Sequence, residues 1–218
     1  MPFGGGSMAR GRAAGYDEQR EQILQQAAAL FASQGYAATS MNEVAQACGL
    51  SKPAIYHYFR DKYALLLEIC DAHLTRLQAL ESEVRSESQL SAEQRLRGLI
   101  QRFVREYAQA TSAHRVLTES VRHLQADDRQ RVLDKERALV AGFSEALIQI
   151  RPDLDQAGLS KALTMLLFGM MNWMFTWLRS GGALDHEDMA PVVADLFMGG
   201  IGAVKTPIAK AEKGLVKN

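Results

Sequence analysis

Four hydrogen-bonding side chains sit close together near the start of this 218-residue chain: Ser51, Lys52, Tyr56 and His57, within SMNEVAQACGLSKPAIYHYF, residues 40 to 59. On a helix beginning after Ser51 they point outward with Ala54, while Ile55 and Tyr58 point inward. Such donors suit phosphate oxygens and the acceptors on base edges, such as guanine O6 and N7. Reaction chemistry finds no comparable set. The chain has no phosphate-cradling glycine loop, no HExxH and no GxSxG, and Glu119 with His123 is a lone i, i+4 pair. Cys48 and Cys70 fall in helical patterns and make no CxxC or Cys/His cluster, so neither a disulfide framework nor a zinc site is expected. No enzyme, metal or cofactor is expected.

Two short helices must position the donors. Ser40 with Glu43 three residues on forms a capping box that opens one of them, running to about Cys48. Gly49 takes the left-handed turn position. Ser51 caps the second, with Pro53 in its first turn, where a missing N–H is harmless. Val44, Ala45 and Cys48 from the first and Leu50, Ile55 and Tyr58 from the second close a core, which makes a helix-turn-helix. A helix of this width fits the major groove of B-form DNA.

Apolar residues recur at helical spacing through almost the whole chain, and no strand alternation appears, so the fold is read as all-α with about nine helices. The expected helices span about 17–34, 41–48, 52–59, a long one from 61, a stripe of Leu96, Leu99, Ile100, Phe103, Val104 and Tyr107, then 112–124, 128–150, 159–179 and 189–204. Pro152 ends the seventh. Pro191, tolerated in a first turn, places the last start at Met189. Residues 1–16 are read as a flexible arm without an apolar signal segment, 17–62 as the helix-turn-helix domain, 63–204 as a ligand-binding and dimerisation domain, and 205–218 as a lysine-rich tail. A cytoplasmic location fits this reading.

Net charge is zero, with +1 over residues 1–62, −4 over 63–204 and +3 over the tail. A generic polybasic binder is excluded, so DNA contact must rest on a few well-aimed groups.

The segment ILQQAAALFASQGYAATSMNEVAQACGLSKPAIYHYFRDKYALLLEI resembles the amino-terminal signature of the TetR family of bacterial repressors. The resemblance implies a three-helix DNA-binding domain, a helical ligand-binding domain behind it, and a homodimer on a palindromic operator in double-stranded DNA. Carried over by position, it implies phosphate contacts at Ser40, Tyr56 and Lys62, and base-edge contacts at Ser51, Lys52, Pro53, Ala54 and His57. Arg10 and Arg12 on the arm are candidates for a minor groove.

ALTMLLFGMMNWMFTWL, residues 162 to 178, is uncharged and near the lower length of a membrane span. Asn172, two threonines and the absence of flanking charge asymmetry favour a helix buried by its own domain and a partner chain. The TetR resemblance implies that this helix and the last one, about 159–179 and 189–204, form the dimer interface. Phe103, Tyr107, Met170, Trp173, Met174 and Trp177 are the expected lining of a cavity for a small hydrophobic effector. Residues 114–137 and 163–182 look like a TetR subgroup that senses acyl-CoA thioesters, phenylacetyl-CoA above all. Arg122 is the expected anion contact, with Arg102, Arg105, Arg115 and Arg179 as further candidates. A TetR-like regulator of efflux or another pathway, sensing a different hydrophobic ligand, is the alternative, and a membrane-associated helical protein a distant one.

Overall fold

A computed structural model describes residues 7–178 and 182–206, with side chains from residue 15 onward. Among the described residues every regular element is helical, and there are ten α-helices rather than nine. α1 (Ser7–Gln34) stops at Gly35, whose φ of +89° is cheap only for glycine. Its start at Ser7 differs from the expected arm through residue 16. The MARGRAA run is made of good helix formers apart from Gly11, and only that residue and Gly15 weaken this part of the helix. α2 (Met41–Ala47) opens on the Ser40–Glu43 capping box. Gly49, at φ +65°, turns the chain into α3 (Lys52–Tyr56), which Ser51 caps through the Ala54 amide. α4 (Lys62–Ser86) is opened by the Asp61 carboxylate, which accepts from the Ala64 amide at 2.7 Å.

α5 (Ala92–Gln109) carries a second capping box at Ser91, and the six residues of its apolar stripe are all buried. α6 (Thr111–Ser120) runs into a 3₁₀ turn at Val121–His123, and α7 (Ala126–Ile150) ends before Pro152 as the sequence requires. Pro152 opens α8 (Pro152–Gln156), a five-residue helix too short for any periodicity to reveal. α9 (Ser160–Trp173) ends earlier than 179: the Thr176 hydroxyl takes the Trp173 carbonyl at 2.7 Å, and the chain tightens into a 3₁₀ turn at Met174–Thr176. α10 (His186–Ala203) starts three residues before Met189, because Asp185 and Asp188 form the capping box. Pro191 therefore lies inside the helix. Its lost hydrogen bond is offset by packing of α10 along α5, which buries Ala190, Val193, Ala194, Phe197 and Ile201. No helix among the described residues is long and apolar enough to cross a membrane.

The chain divides into two compact units, and the divisions fall inside α4 and α7 and after the first residue of α6. The first holds the described residues up to His73 together with Ser112–Val132. Ile23, Ala27, Phe31, Val44, Ile55, Leu65 and Leu66 form its buried apolar set. Polar clasps tie its parts together. Arg20 bonds Glu68 at 2.9 Å, and the Tyr63 hydroxyl donates to Asp128 while accepting from the Gln125 amide at 3.1 Å. The second unit holds Leu74–Thr111 and Leu133 onward. At its centre the rings of Phe103 and Phe143 meet edge to face at 4.7 Å, and those of Phe143 and Phe168 at 5.0 Å. Arg151 closes the C-terminal end of α10 by donating to the carbonyls of Ile201 and Val204.

His73 and His114 form a buried pair in the first unit, with His73 Nε2 3.3 Å from His114 Nδ1. Two neutral rings can share one N–H across that gap; two imidazolium ions cannot. Burial depresses the His73 pKa from 6.5 to about 4. The unfolded chain therefore takes up this proton first, so the His73 contribution is complete above about pH 6.5 and is lost as pH falls toward 4. Chemical denaturation at a series of pH values should show roughly 3 kcal/mol of this loss in the wild type and not in His73→Gln. Parallel curves for the two proteins would contradict it.

Candidate nucleic-acid interface and effector surfaces

The α2–α3 pair is built by caps and held by packing. Val44, Ala45, Ile55 and Phe59 are buried, while Cys48, Leu50 and Tyr58 are half-buried. Tyr58 also stacks on Tyr16 at 4.8 Å. What remains outside is the expected set: Ser51, Lys52, Pro53, Tyr56 and His57 are exposed, and Ala54 is half-buried. Lys52 and Tyr56 stand one turn apart and exposed, with no ion pair or hydrogen bond to another side chain among the described residues, so their donors are available to a ligand.

Ser40 and Lys62 are differently placed. The Ser40 hydroxyl accepts from the Glu43 amide at 3.3 Å and donates to the Glu43 carboxylate at 2.7 Å; the Ser40 amide reaches the same carboxylate at 2.7 Å. These hydrogen bonds from Ser40 hold the Glu43 pKa below the usual carboxylate value. The Lys62 ammonium donates to the carbonyls of Tyr36 at 2.8 Å, Ala37 at 3.2 Å and Thr39 at 2.8 Å, and lies 4.6 Å from the centre of the Tyr36 ring. A lysine has three N–H donors, and these carbonyls occupy all three. Lys62 thus clips the corner between α1 and α2 in this structure.

The expected effector residues fall in separate places. Phe103 and Tyr107 are buried within the aromatic core of the second unit, and burial, aided by the nearby Glu136 charge, pushes the Tyr107 pKa up. Met174 is also buried, and Met170 is half-buried. Trp173 and Trp177 lie outside, 66% and 49% exposed, along an open apolar groove of about 520 Å³ between α9 and α10. Met165, Leu166, Val192 and Leu196 also line that groove, each at least half exposed. Arg122 belongs to the first unit, in the 3₁₀ turn after α6. Arg102, Arg105 and Arg115 pair with Glu87, Glu187 and Glu119. Arg179 and the side chains of Arg10 and Arg12 lie outside the described residues. No cluster of potential metal ligands occurs among the described residues.

Residues 23–69 match the family model for bacterial regulatory proteins of the tetR family, and residues 89–201 match the tetracyclin repressor-like C-terminal domain. The chain belongs to the TetR family. A TetR-family regulator from Bordetella parapertussis has the same fold at a TM-score of 0.78, with 33% identity over 86% of this chain and 98% of that one. The transcriptional repressor KstR2 of Rhodococcus jostii is 26% identical over 87% of this chain and 94% of its own. The structure of AibR in complex with isovaleryl coenzyme A and operator DNA shares the fold at 23% identity and a TM-score of 0.69, covering 82% of this chain and 97% of that one. Two curated relatives, from Bacillus subtilis and Mycolicibacterium smegmatis, match over 58 and 104 residues, so the chain spans 20% and 45% of their length.

In this TetR-family chain the Lys62 clip was not legible from spacing, because its partners are backbone carbonyls 23 to 26 residues away. Lys62→Met keeps the apolar stem and removes the charge-assisted bonds. It should lower the unfolding free energy in urea by about 1–3 kcal/mol. An unchanged midpoint and slope would mean that the clip contributes nothing to folding.

Proposed function

We propose that the protein is a transcriptional repressor that binds a palindromic operator as a homodimer and leaves it when a small hydrophobic effector binds. The observation that carries this reading is the exposed edge of α3, where Lys52, Tyr56 and His57 face outward from a capped, glycine-turned helix pair. Lys52, Ser51, Pro53, Ala54 and His57 read base edges in the major groove, and Tyr56 and the capped start of α2 at Ser40 contact phosphates. Lys62 supports that end of α2 through the Tyr36–Thr39 carbonyls, and a phosphate contact would require it to give up one of them.

A monomer with this surface would expose a large contiguous apolar patch, which soluble chains rarely do. The α9–α10 face bearing Trp173, Trp177, Leu166 and Leu196 is therefore the surface that a second copy covers, and the dimer holds two α3 helices about one DNA turn apart. An acyl-CoA thioester such as phenylacetyl-CoA is the effector class we favour. The resemblance of residues 114–137 and 163–182 to acyl-CoA-sensing repressors supports it. Release requires only that the effector favour a spacing of the two α3 helices that DNA rejects, and α4 is shared by both units.

Lys52→Ala should cost about 1–3 kcal/mol on the preferred sequence and relax base preference, whereas Tyr56→Phe should weaken all sequences alike. Equal changes in preference for both would overturn the assignment. Leu196→Asp should turn a sedimenting dimer into a monomer; a dimeric variant would remove α9–α10 as the contact. The effector is tested by gel shift on the DNA upstream of the gene, with a panel of acyl-CoA thioesters and the matching free acids. Release by thioesters alone is expected, and release by neither class would remove them as effectors.

A further inference from the structure

The second unit contains a cleft that none of the expected site residues lines. Leu133, Glu136, Val140 and Ser144 follow one another along one side of α7, all half-buried, with Arg137 and Ala141 beside them. Lys161 and Met165, one turn apart on α9, form the opposite wall. The cleft encloses about 460 Å³, within the usual range of small-molecule sites. In the interior of this unit Phe103, Phe143, Phe168 and Tyr107 are buried and their rings pack on one another.

We propose that this cleft binds an amphipathic anion, its apolar chain or ring lying over Val140, Ala141 and Met165 and its negative end at Lys161. The charges favour that orientation. The arginines Arg76, Arg85, Arg97, Arg102, Arg105 and Arg151 of this unit are all ion-paired. Arg137 is paired with Asp134 at 2.7 Å. Lys161 stands exposed at the rim with no carboxylate or hydrogen-bond partner among the described residues, so an arriving anion displaces no existing pair. Glu136 has the opposite effect. Held among apolar groups near Tyr107, it repels an anion while ionised and donates to a carbonyl when protonated, and burial raises its pKa in the second direction.

Met165 lines both this cleft and the α9–α10 groove, so an occupant presses on the surface assigned to the second copy. That placement makes the cleft the effector site, an inference that rests on the repressor reading. The same ligand chemistry can come as a free fatty or aromatic acid or as a thioester of a phosphate-bearing carrier.

The test uses the full-length protein, titrated by calorimetry with octanoate, octanoyl coenzyme A and octylamine, in parallel with operator release. Lys161→Glu reverses the rim charge, and Val140→Trp fills the apolar slot. At least one anionic probe should bind, its affinity should fall roughly tenfold or more in Lys161→Glu and disappear in Val140→Trp, and octylamine should not bind. Thermal unfolding near the wild-type midpoint verifies each fold, and Lys161→Glu, a change at an exposed position, suffices if Val140→Trp misfolds. Octanoate binding assigns the free acid, and binding of the thioester alone assigns the carrier-bound form. Equal binding of the anionic probes by wild type and variants, or no binding below about 1 mM, overturns the cleft. Probe binding that Lys161→Glu abolishes but that never releases operator keeps the cleft and removes the repressor's effector mechanism.

Discussion

Helices of seven and five residues do not persist in water on their own, since nucleation costs more than so few hydrogen bonds return. α2 and α3 exist because their ends are capped, because Gly49 adopts a left-handed turn, and because Val44, Ala45 and Ile55 are buried against the rest of the first unit. The Lys62 ammonium adds a fixed point by gathering three carbonyls from the corner that leads into α2. Everything proposed about DNA depends on this small assembly holding α3 with its polar edge outward. The charges of the chain as a whole sum to zero, so shape and aimed donors must do what bulk charge does in other DNA-binding proteins.

The second unit solves a different problem with the same kind of helix. α9 is apolar almost all round, but its two sides have different fates: Leu167, Phe168 and Met171 are buried, while Leu166 and Trp173 face outward into the groove shared with α10. One face is ordinary core. The other is a surface that water should not be left to cover. Between that face and α7 lies the cleft with Lys161 at its rim, so the proposed ligand site and the proposed assembly surface share a wall at Met165.

Much of this was written in local sequence. The Ser40–Glu43 capping box, Gly49, the Ser51 cap and the six-residue stripe of α5 depend on neighbours within a turn or two, and each appears in the structure as spacing implies. The failures share a cause. α8, at five residues, is too short for a helical period to repeat, and α10 tolerates Pro191 inside because packing on α5 outweighs a lost bond. Apolar periodicity marks Phe103 and Trp173 alike as inward-facing, yet one is fully buried and the other two-thirds exposed, because the sequence cannot say whether an apolar face meets its own core or another molecule. Lys62, Glu136 and Lys161 gain their roles from long-range partners or from the lack of them, which no spacing encodes.

The most direct test of the central claim, that α3 presents a groove-reading edge twice in a symmetric pair, is a hydroxyl-radical footprint of the protein on the DNA upstream of its gene. Two protected patches related by a dyad, centred about one or a whole number of helical turns apart, are the expected result. A single patch, or protection that spreads evenly along the duplex without position, would contradict it.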